Sequence, residues 1–318
     1  MFLDANENAY GSPLAQSYNR YPDPLQYALK DKISALKNVP AANIFLGNGS
    51  DEAIDLLYRI FCRPGIDKVV VCPPTYGMYE VSAAINNIEV IRVNLLPDYE
   101  LDTTAILQAG QNARMLFICS PNNPTGNAYT PKQIEELIQQ FNGLVVVDEA
   151  YIDYSTQASA TQFIFGYNNV VVLQTFSKAW GLAGLRLGMA FASEQIVEYL
   201  NKVKPPYNIS EPNAQLALLA TENVKWVQQH VALTISERDK LSTQLAALPG
   251  VVKVFSTDAN FILARFTQAR ATYNYLVAAG IIVRDRSMVQ LCDECLRITV
   301  GTPAENEQLI NTLKLFEA

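Results

Sequence analysis

The chain has 318 residues, 49% hydrophobic and 17% charged, with a formal net charge of −7; this is material for one large folded unit plus a smaller one, and it excludes a disordered chain. The acidic balance argues against nucleic acid or an anionic membrane surface as the main partner, although a pocket can hold local arginines against the global sign. No stretch approaches the roughly 20 apolar residues of a membrane-spanning helix, the opening MFLDANENAYG lacks the charged-then-apolar pattern of a secretion signal, and five scattered cysteines suit a reducing cytoplasm.

From about residue 44 to 192, apolar β-rich runs alternate with helical patterns. The strand candidates are IFLG, KVVVC, EVIRV, RMLFICS, GLVVVD, VVVLQTF and LRLGMAFA. Continuous Val/Ile/Leu runs predict strands covered on both faces, hence a mostly parallel sheet flanked by helices. Between them, SDEAIDLLYRIF opens on a serine or aspartate cap and TPKQIEELIQQF on Thr-Pro, both helix starts. Beyond residue 205 the texture changes. Helical patterns run through 212 to 248, and VVKVF, NFILARF, IIVRD and LRITV give short strands between helices at about 268 to 279 and 303 to 316. These predict a smaller α+β domain. The sequence has no internal repeat and no low-complexity linker.

In an open α/β sheet, ligands sit beyond the carboxyl ends of the strands, so the polar residues that follow each strand candidate form a set. After IFLG comes NGSDEA, where Gly47, Gly49, Ser50 and Asp51 open a helix. Bare backbone N–H groups at a helix start suit a phosphate, although Gly-rich helix starts are common. After KVVVC, PPTYGMY carries Tyr76, which either stacks on a flat ring or simply packs. After RMLFIC, the turn-rich SPNNPTG holds Asn123; after GLVVV, DEAY supplies Asp148 and Tyr151. After VVVLQTF come Ser177 and Lys178, with Arg186 eight residues beyond the lysine. A lysine amine, a carboxylate, an amide, a phenol, an aromatic face and a phosphate cradle thus converge on one edge. A phosphorylated pyridine aldehyde needs each of them: an amine to condense with the aldehyde, a carboxylate to keep the ring nitrogen protonated, and donors for the phosphate.

Other motifs carry less. Cys292 and Cys295 form a C-x-x-C, but no second pair follows, and the one histidine, His230, is distant and lies in a helical stretch. A single histidine also argues against a Ser-His-Asp triad or a multi-histidine metal site. GNGSDEAID does not supply the G-x-G-x-x-G of a nicotinamide dehydrogenase.

These residues, in this order, resemble the class II pyridoxal-phosphate-dependent aminotransferases of fold type I. The resemblance runs almost end to end through LDANENAYG, NRYPDP, GNGSDEAID, PPTYGMY, SPNNPTG, VVVDEAYIDY, TFSKAWGLAGLRLG, IIVRD and LRITVGT. ANEN, RYPDP and LRITVGT narrow it towards the histidinol-phosphate aminotransferases. It implies a seven-stranded, mostly parallel sheet in a large domain over residues 26–210, and a small α+β domain over 211–318 joined by residues 1–25. It implies pyridoxal 5′-phosphate as cofactor, no metal, glutamate and histidinol phosphate as small-molecule substrates, and a homodimer.

By the same resemblance, Lys178 would bond the cofactor and then shuttle a proton, Asp148 would pair with the ring nitrogen, and Asn123 and Tyr151 would contact the ring oxygen. Gly49, Ser50, Ser177 and Arg186 would take the phosphate, Asp51 would belong to the same cofactor-binding set, and Tyr76 would stack on the ring. Tyr21 would reach the cofactor of the neighbouring subunit. Arg297 would bind the substrate carboxylate or phosphate, Arg284 would assist, and Asn8 and Tyr10 would line the substrate side. Which of Arg284, Arg286 and Arg297 faces the substrate phosphate stays open, and Arg297 alternatively serves as a structural ion-pair partner. The family carries an arm ahead of LDANEN, where this sequence begins almost at that motif, and a proline where this chain has Ala9. Rival readings are an aromatic aminotransferase, a decarboxylase of a phosphorylated amino acid, and a non-catalytic binding protein on the same fold; the last would be expected to lose Lys178 or Asp148.

Overall fold

The computed structural model describes residues 3–316. Helix α1 (Tyr27–Lys37) precedes strand β1 (Ile44–Asn48), and helices and strands then alternate through α2 (Ser50–Phe61), β2 (Lys68–Val71), α3 (Met78–Ile85), β3 (Glu89–Arg92) and α4 (Thr103–Gly110). The alternation continues with β4 (Met115–Cys119), α5 (Pro131–Gln140), β5 (Leu144–Asp148), β6 (Val170–Thr175), β7 (Leu187–Ala192) and α6 (Glu194–Val203). Two helices, α7 (Glu211–Thr221) and α8 (Val224–Ala246), lead to β8 (Val251–Val254), β9 (Phe261–Phe266), α9 (Ala269–Ala278), β10 (Arg284–Asp285), β11 (Cys295–Thr299) and α10 (Pro303–Lys314).

Strands β1 to β7 form one sheet in the order β1-β7-β6-β5-β4-β2-β3, and β8 to β11 a second in the order β10-β11-β9-β8. In the first, β7 runs antiparallel to both its neighbours and the other pairings are parallel; the second is antiparallel throughout. All the strand candidates therefore form strands, and the mostly parallel sheet is confirmed. The Val-rich runs are buried on both faces because successive side chains alternate. Val70, Leu116, Val145 and Val172 pack with α1, α4 and α5 on one face. Val69, Val71, Phe117, Val146 and Val171 pack with α2, α3 and α6 on the other.

The second sheet divides its faces in the same way. Ile262, Ala264, Leu296 and Ile298 meet Leu241, Leu276 and Ile310 of α8, α9 and α10. Phe261, Leu263 and Cys295 instead join the larger core. The small sheet is thereby anchored to the large one by its own inner face.

Local chemistry explains most element ends. Thr130 and Gln133 close a capping box on α5, with Pro131 in its first turn, and Thr302 and Glu305 do the same on α10. Two expectations need correction. The N-cap of α2 is Gly49, not Ser50 or Asp51, and no side chain caps that helix; a positive φ of 75° at this position suits glycine. The strand expected from Leu185 begins only at Leu187, because Arg186 sits in the left-handed region at φ 50° and breaks the extended run. The helical patterns at 212 to 248 form the two helices α7 and α8.

One close approach fixes how β7 meets the start of α2. A Cβ built on Gly188 would strike the backbone of Gly49 and Ser50, with the Gly49 carbonyl oxygen 2.9 Å away. Gly188→Ala should therefore lower unfolding stability by about 1–3 kcal/mol through overpacking. Gly184→Ala, where no atom lies within 4 Å of the new Cβ, should change it by less than about 0.5 kcal/mol. Urea unfolding of the two variants beside the parent chain checks the contrast.

Candidate active site

Because β7 is antiparallel, it starts at the edge where its neighbours finish. Thr175 at the end of β6 pairs with Gly188, Asn48 at the end of β1 pairs with Leu187, and Cys119 at the end of β4 pairs with Asp148 at the end of β5. The loops that leave these strands enclose a cavity of about 660 Å³. The second sheet closes it with Arg284, Arg286 and Arg297.

One end of the cavity is an anion cradle. The first turn of α2, which receives no side-chain cap from Gly49, lies beside Ser177 and Arg186, and a helix N-terminus carries partial positive charge. Gly49 leaves room for the guanidinium: a Cβ there would sit 2.7 Å from Arg186 Nη2. Asp51 holds the surrounding groups, with its carboxylate 3.7 Å from Arg186 Nη2 and accepting from the Tyr76 hydroxyl at 3.1 Å.

The floor is the carboxylate of Asp148, buried at the end of β5. It accepts from the Tyr79 hydroxyl at 2.7 Å and from the Ala150 N–H at 3.1 Å. Burial pushes its pKa up to about 6, against the pull of those two donors. Among the described residues it belongs to no ion pair within 4 Å. A buried carboxylate so placed has both neutral donors satisfied and still lacks a cation.

Tyr79 is a residue that the sequence reading missed. It lies in the first turn of α3, and its ring meets that of Tyr76, in the turn just ahead of the helix, edge to face at 5.6 Å. Tyr79 stacks on Phe117, which stacks on Tyr58. That column fixes the hydroxyl against Asp148.

Lys178 sits half-buried beyond β6, its Nζ 5.4 Å from the centre of the Tyr151 ring. Burial depresses its pKa and the Arg297 charge adds to this, while Asp148 and Asp51 oppose. Tyr151 packs edge to face on Phe261 at 5.1 Å, and Arg297 lies over the same Phe261 ring at 5.2 Å. Arg297 also donates to the Asn123 side chain. Asn123 is placed by its neighbour Asn122, which donates to the Pro74 carbonyl at 2.8 Å and to Thr125 Oγ1 at 2.6 Å and accepts from Thr75 Oγ1 at 2.9 Å. The SPNNPTG loop is thus clamped to the PPTYG loop, and Asn122 and Thr75 join Tyr79 among the residues the sequence reading left out.

Twelve of the sequence-predicted residues therefore line one cavity: Gly49, Ser50, Asp51, Tyr76, Asn123 and Asp148 with Tyr151, Ser177, Lys178, Arg186, Arg284 and Arg297. Asn8, Tyr10 and Tyr21 are not brought to it. Tyr10 is fully exposed, and Asn8 Oδ1 accepts from its backbone N–H at 3.0 Å. Tyr21 stacks on Tyr207 at 4.3 Å. Cys292 and Cys295 are buried and unbonded to each other, and His230 stacks on Trp226 along α8.

The sequence profile described as aminotransferase class I and II matches residues 5–313. The chain belongs to this family. A histidinol-phosphate aminotransferase of Cytophaga hutchinsonii is 51% identical over 317 residues, 99% of this chain and 91% of that protein. Among solved structures, a histidinol-phosphate aminotransferase from Sinorhizobium meliloti in complex with pyridoxal-5′-phosphate superposes with TM-score 0.87 at 23% identity, covering 98% of this chain and 89% of that one. An L-threonine-O-3-phosphate decarboxylase from Porphyromonas gingivalis superposes with TM-score 0.82 at 22% identity, covering 93% and 90%. At such identities the two structures speak for the shared fold alone.

The buried carboxylate has a measurable consequence in cofactor-free protein. Its folded pKa, about 6, lies above the ordinary 3.8, so its contribution is fully present below about pH 4 and is lost as pH rises through about 6. Asp148→Asn removes the charge at similar volume. The melting temperature of Asp148→Asn relative to the parent chain should therefore be more favourable at pH 8 than at pH 4. An equal difference at both pH values would mean that Asp148 is not the group titrating in the core.

Proposed function

We propose that the chain is a pyridoxal-phosphate-dependent transaminase that exchanges an amino group between glutamate and imidazole-acetol phosphate, giving 2-oxoglutarate and histidinol phosphate, a step of histidine biosynthesis. The observation that carries this reading is the half-identity to a histidinol-phosphate aminotransferase over nearly the whole chain, in a chain whose cavity joins Lys178, Asp148 and the three arginines.

The residues present fit the cofactor. The glycine-framed helix start with Ser50, Ser177 and Arg186 matches a phosphate dianion, and its clearance at Gly49 is already tight for any side chain. Asp148, buried without a cation partner, suits a protonated ring nitrogen. Tyr76 offers a ring face, and Asn123 and Tyr151 offer polar groups to a ring oxygen. When bound, the cofactor supplies an electron-accepting ring and carries the amino group from one substrate to the other.

The chain's own residues do the rest. Lys178 has a depressed pKa, so more of it is neutral near pH 7 than of a free lysine, which titrates near ~10.4. Its amine can bond a carbonyl carbon and, once released, accept the proton from the substrate Cα and return it. Asp148 holds its charge against burial through Tyr79 and Ala150. Arg297, kept in place by Asn123 and Phe261, binds the glutamate carboxylate or the substrate phosphate, because a planar guanidinium fork suits either. Arg284, across from Arg297 in the β10–β11 register, assists.

The same reading assigns a homodimer in which Tyr21 serves the partner's site; its exposure away from the cavity of its own chain supports this. Asn8 and Tyr10 belong to the same exposed segment and have the substrate side as their proposed place. The two sheets support a large domain over 26–210 and a small one over 211–318 with 1–25. Five cysteines without a disulfide favour the cytoplasm.

Two measurements test the assignment. Histidinol phosphate added to the loaded protein should convert its absorbance from the aldehyde to the amine form; silence here with a response to histidine, phenylalanine or phosphothreonine would sink the substrate, and release of CO₂ from phosphothreonine would favour the decarboxylase. Lys178→Ala should lower turnover by roughly 10²–10⁴-fold, and steady-state double-reciprocal plots of the parent chain should be parallel.

A further inference from the structure

Strand β10 is only two residues long, Arg284–Asp285, and pairs with β11 so that Arg284 faces Arg297. Alternation along an extended chain puts Arg284 and Arg286 on the same side and Asp285 on the other. The contacts agree. Asp285 accepts from Arg270 at 2.7 Å and from the Ser287 hydroxyl at 2.6 Å, whereas Arg284, Arg286 and Arg297 all line the cavity. The acid that separates two of the arginines in sequence is therefore tied to α9 and does not neutralise them.

Arg286 differs from its two companions. Its backbone N–H is fixed to the Cys295 carbonyl at 2.9 Å. Its Nε is buried and has no hydrogen-bond partner among the described residues. Arg297 already donates to Asn123, and Arg284 is exposed. Of the two arginines beside it, Arg286 exerts the larger repulsion on Arg297. A buried guanidinium N–H is costly to leave without an acceptor, and three cations on one wall repel until an anion joins them.

We propose that Arg286 is a substrate-binding residue that donates to the phosphate ester of the substrate and, with Arg284 and Arg297, makes this wall select a dianion over an uncharged group. This deepens the functional reading above and rests on it. A single carboxylate can be held by Arg297 alone; a phosphate dianion has oxygens enough to accept from Arg286 as well.

The experiment compares histidinol phosphate with histidinol, which lacks the ester, as amino donors to the loaded dimeric enzyme, and measures inorganic phosphate as a competitor by equilibrium binding. In the parent chain the phosphate ester should be strongly preferred. In Arg286→Gln that preference should shrink by about tenfold to a hundredfold, the worth of a hydrogen bond to a charged group, and inorganic phosphate should bind correspondingly more weakly. Arg286→Lys, which keeps the charge and loses the fork, should fall between the two. An unchanged preference in both variants overturns the proposal while leaving the reaction in place. A parent chain that does not prefer the ester removes the functional reading first, and the proposal with it.

Discussion

The carboxylate of Asp148 is buried at the carboxyl end of a central strand, and much of the site follows from accommodating it. A charge in that position needs donors. One comes from the backbone two residues on, at Ala150, and the other from Tyr79 on α3. To present that hydroxyl, α3 must lie against the sheet with its tyrosine column over Phe117. The turn just ahead of the same helix brings Tyr76 to the cavity, where its hydroxyl donates to Asp51. One buried acid thus couples the end of β5, the loop after β2 and the first turn of α2.

Lys178 and four arginines share the cavity with this acid. Lys178 is close enough for Asp148 to oppose the fall in its pKa, but burial and Arg297 dominate, so the amine is pushed towards its neutral form. The arginines are split between two walls: Arg186 at the helix start, and Arg284, Arg286 and Arg297 on the small sheet. In a chain of net charge −7, this is a local inversion of sign. In the proposed reading it gives the cavity two places for anionic groups, as a phosphorylated cofactor and an anionic substrate require.

The sheet and the strand-end residues were legible because both follow from short-range rules. Valine runs declare strands covered on two faces, and strand order then decides that Asp148, Lys178 and Gly49 share an edge. Tyr79 was not legible in the same way: nothing in PPTYGMY sets it apart, and it is the packing on Phe117 that holds its hydroxyl against Asp148. The cap of α2 was misjudged because Ser50 and Asp51 are strong capping residue types, while the helix entry one residue earlier has a φ of 75° and leaves no room for a Cβ beside Arg186, which favours glycine. Arg186 reads as part of a strand until its left-handed backbone is seen. Arg286 lies in the region that the sequence marks, but the three arginines there are equivalent until register and burial separate them.

That separation explains why the large sheet alone does not decide the substrate. In the proposed reading the helix start, the buried acid and the lysine serve a cofactor's needs, and a decarboxylase with the same fold superposes nearly as well as an aminotransferase does. In the proposed reading substrate charge is met on the other wall, where β9 to β11 turn one face to α8, α9 and α10 and the other to the large core, with Arg284, Arg286 and Arg297 at the cavity. A two-residue strand suffices for this, since pairing Arg284 with Arg297 sets the register and Arg286 follows at the next same-face position. Changing side chains at alternate positions of such a strand alters the charge offered to the substrate without disturbing Leu296 and Ile298 behind it. On the proposed reading, the fold thereby keeps the groups that would hold a cofactor and the groups that would read a substrate on separately supported elements.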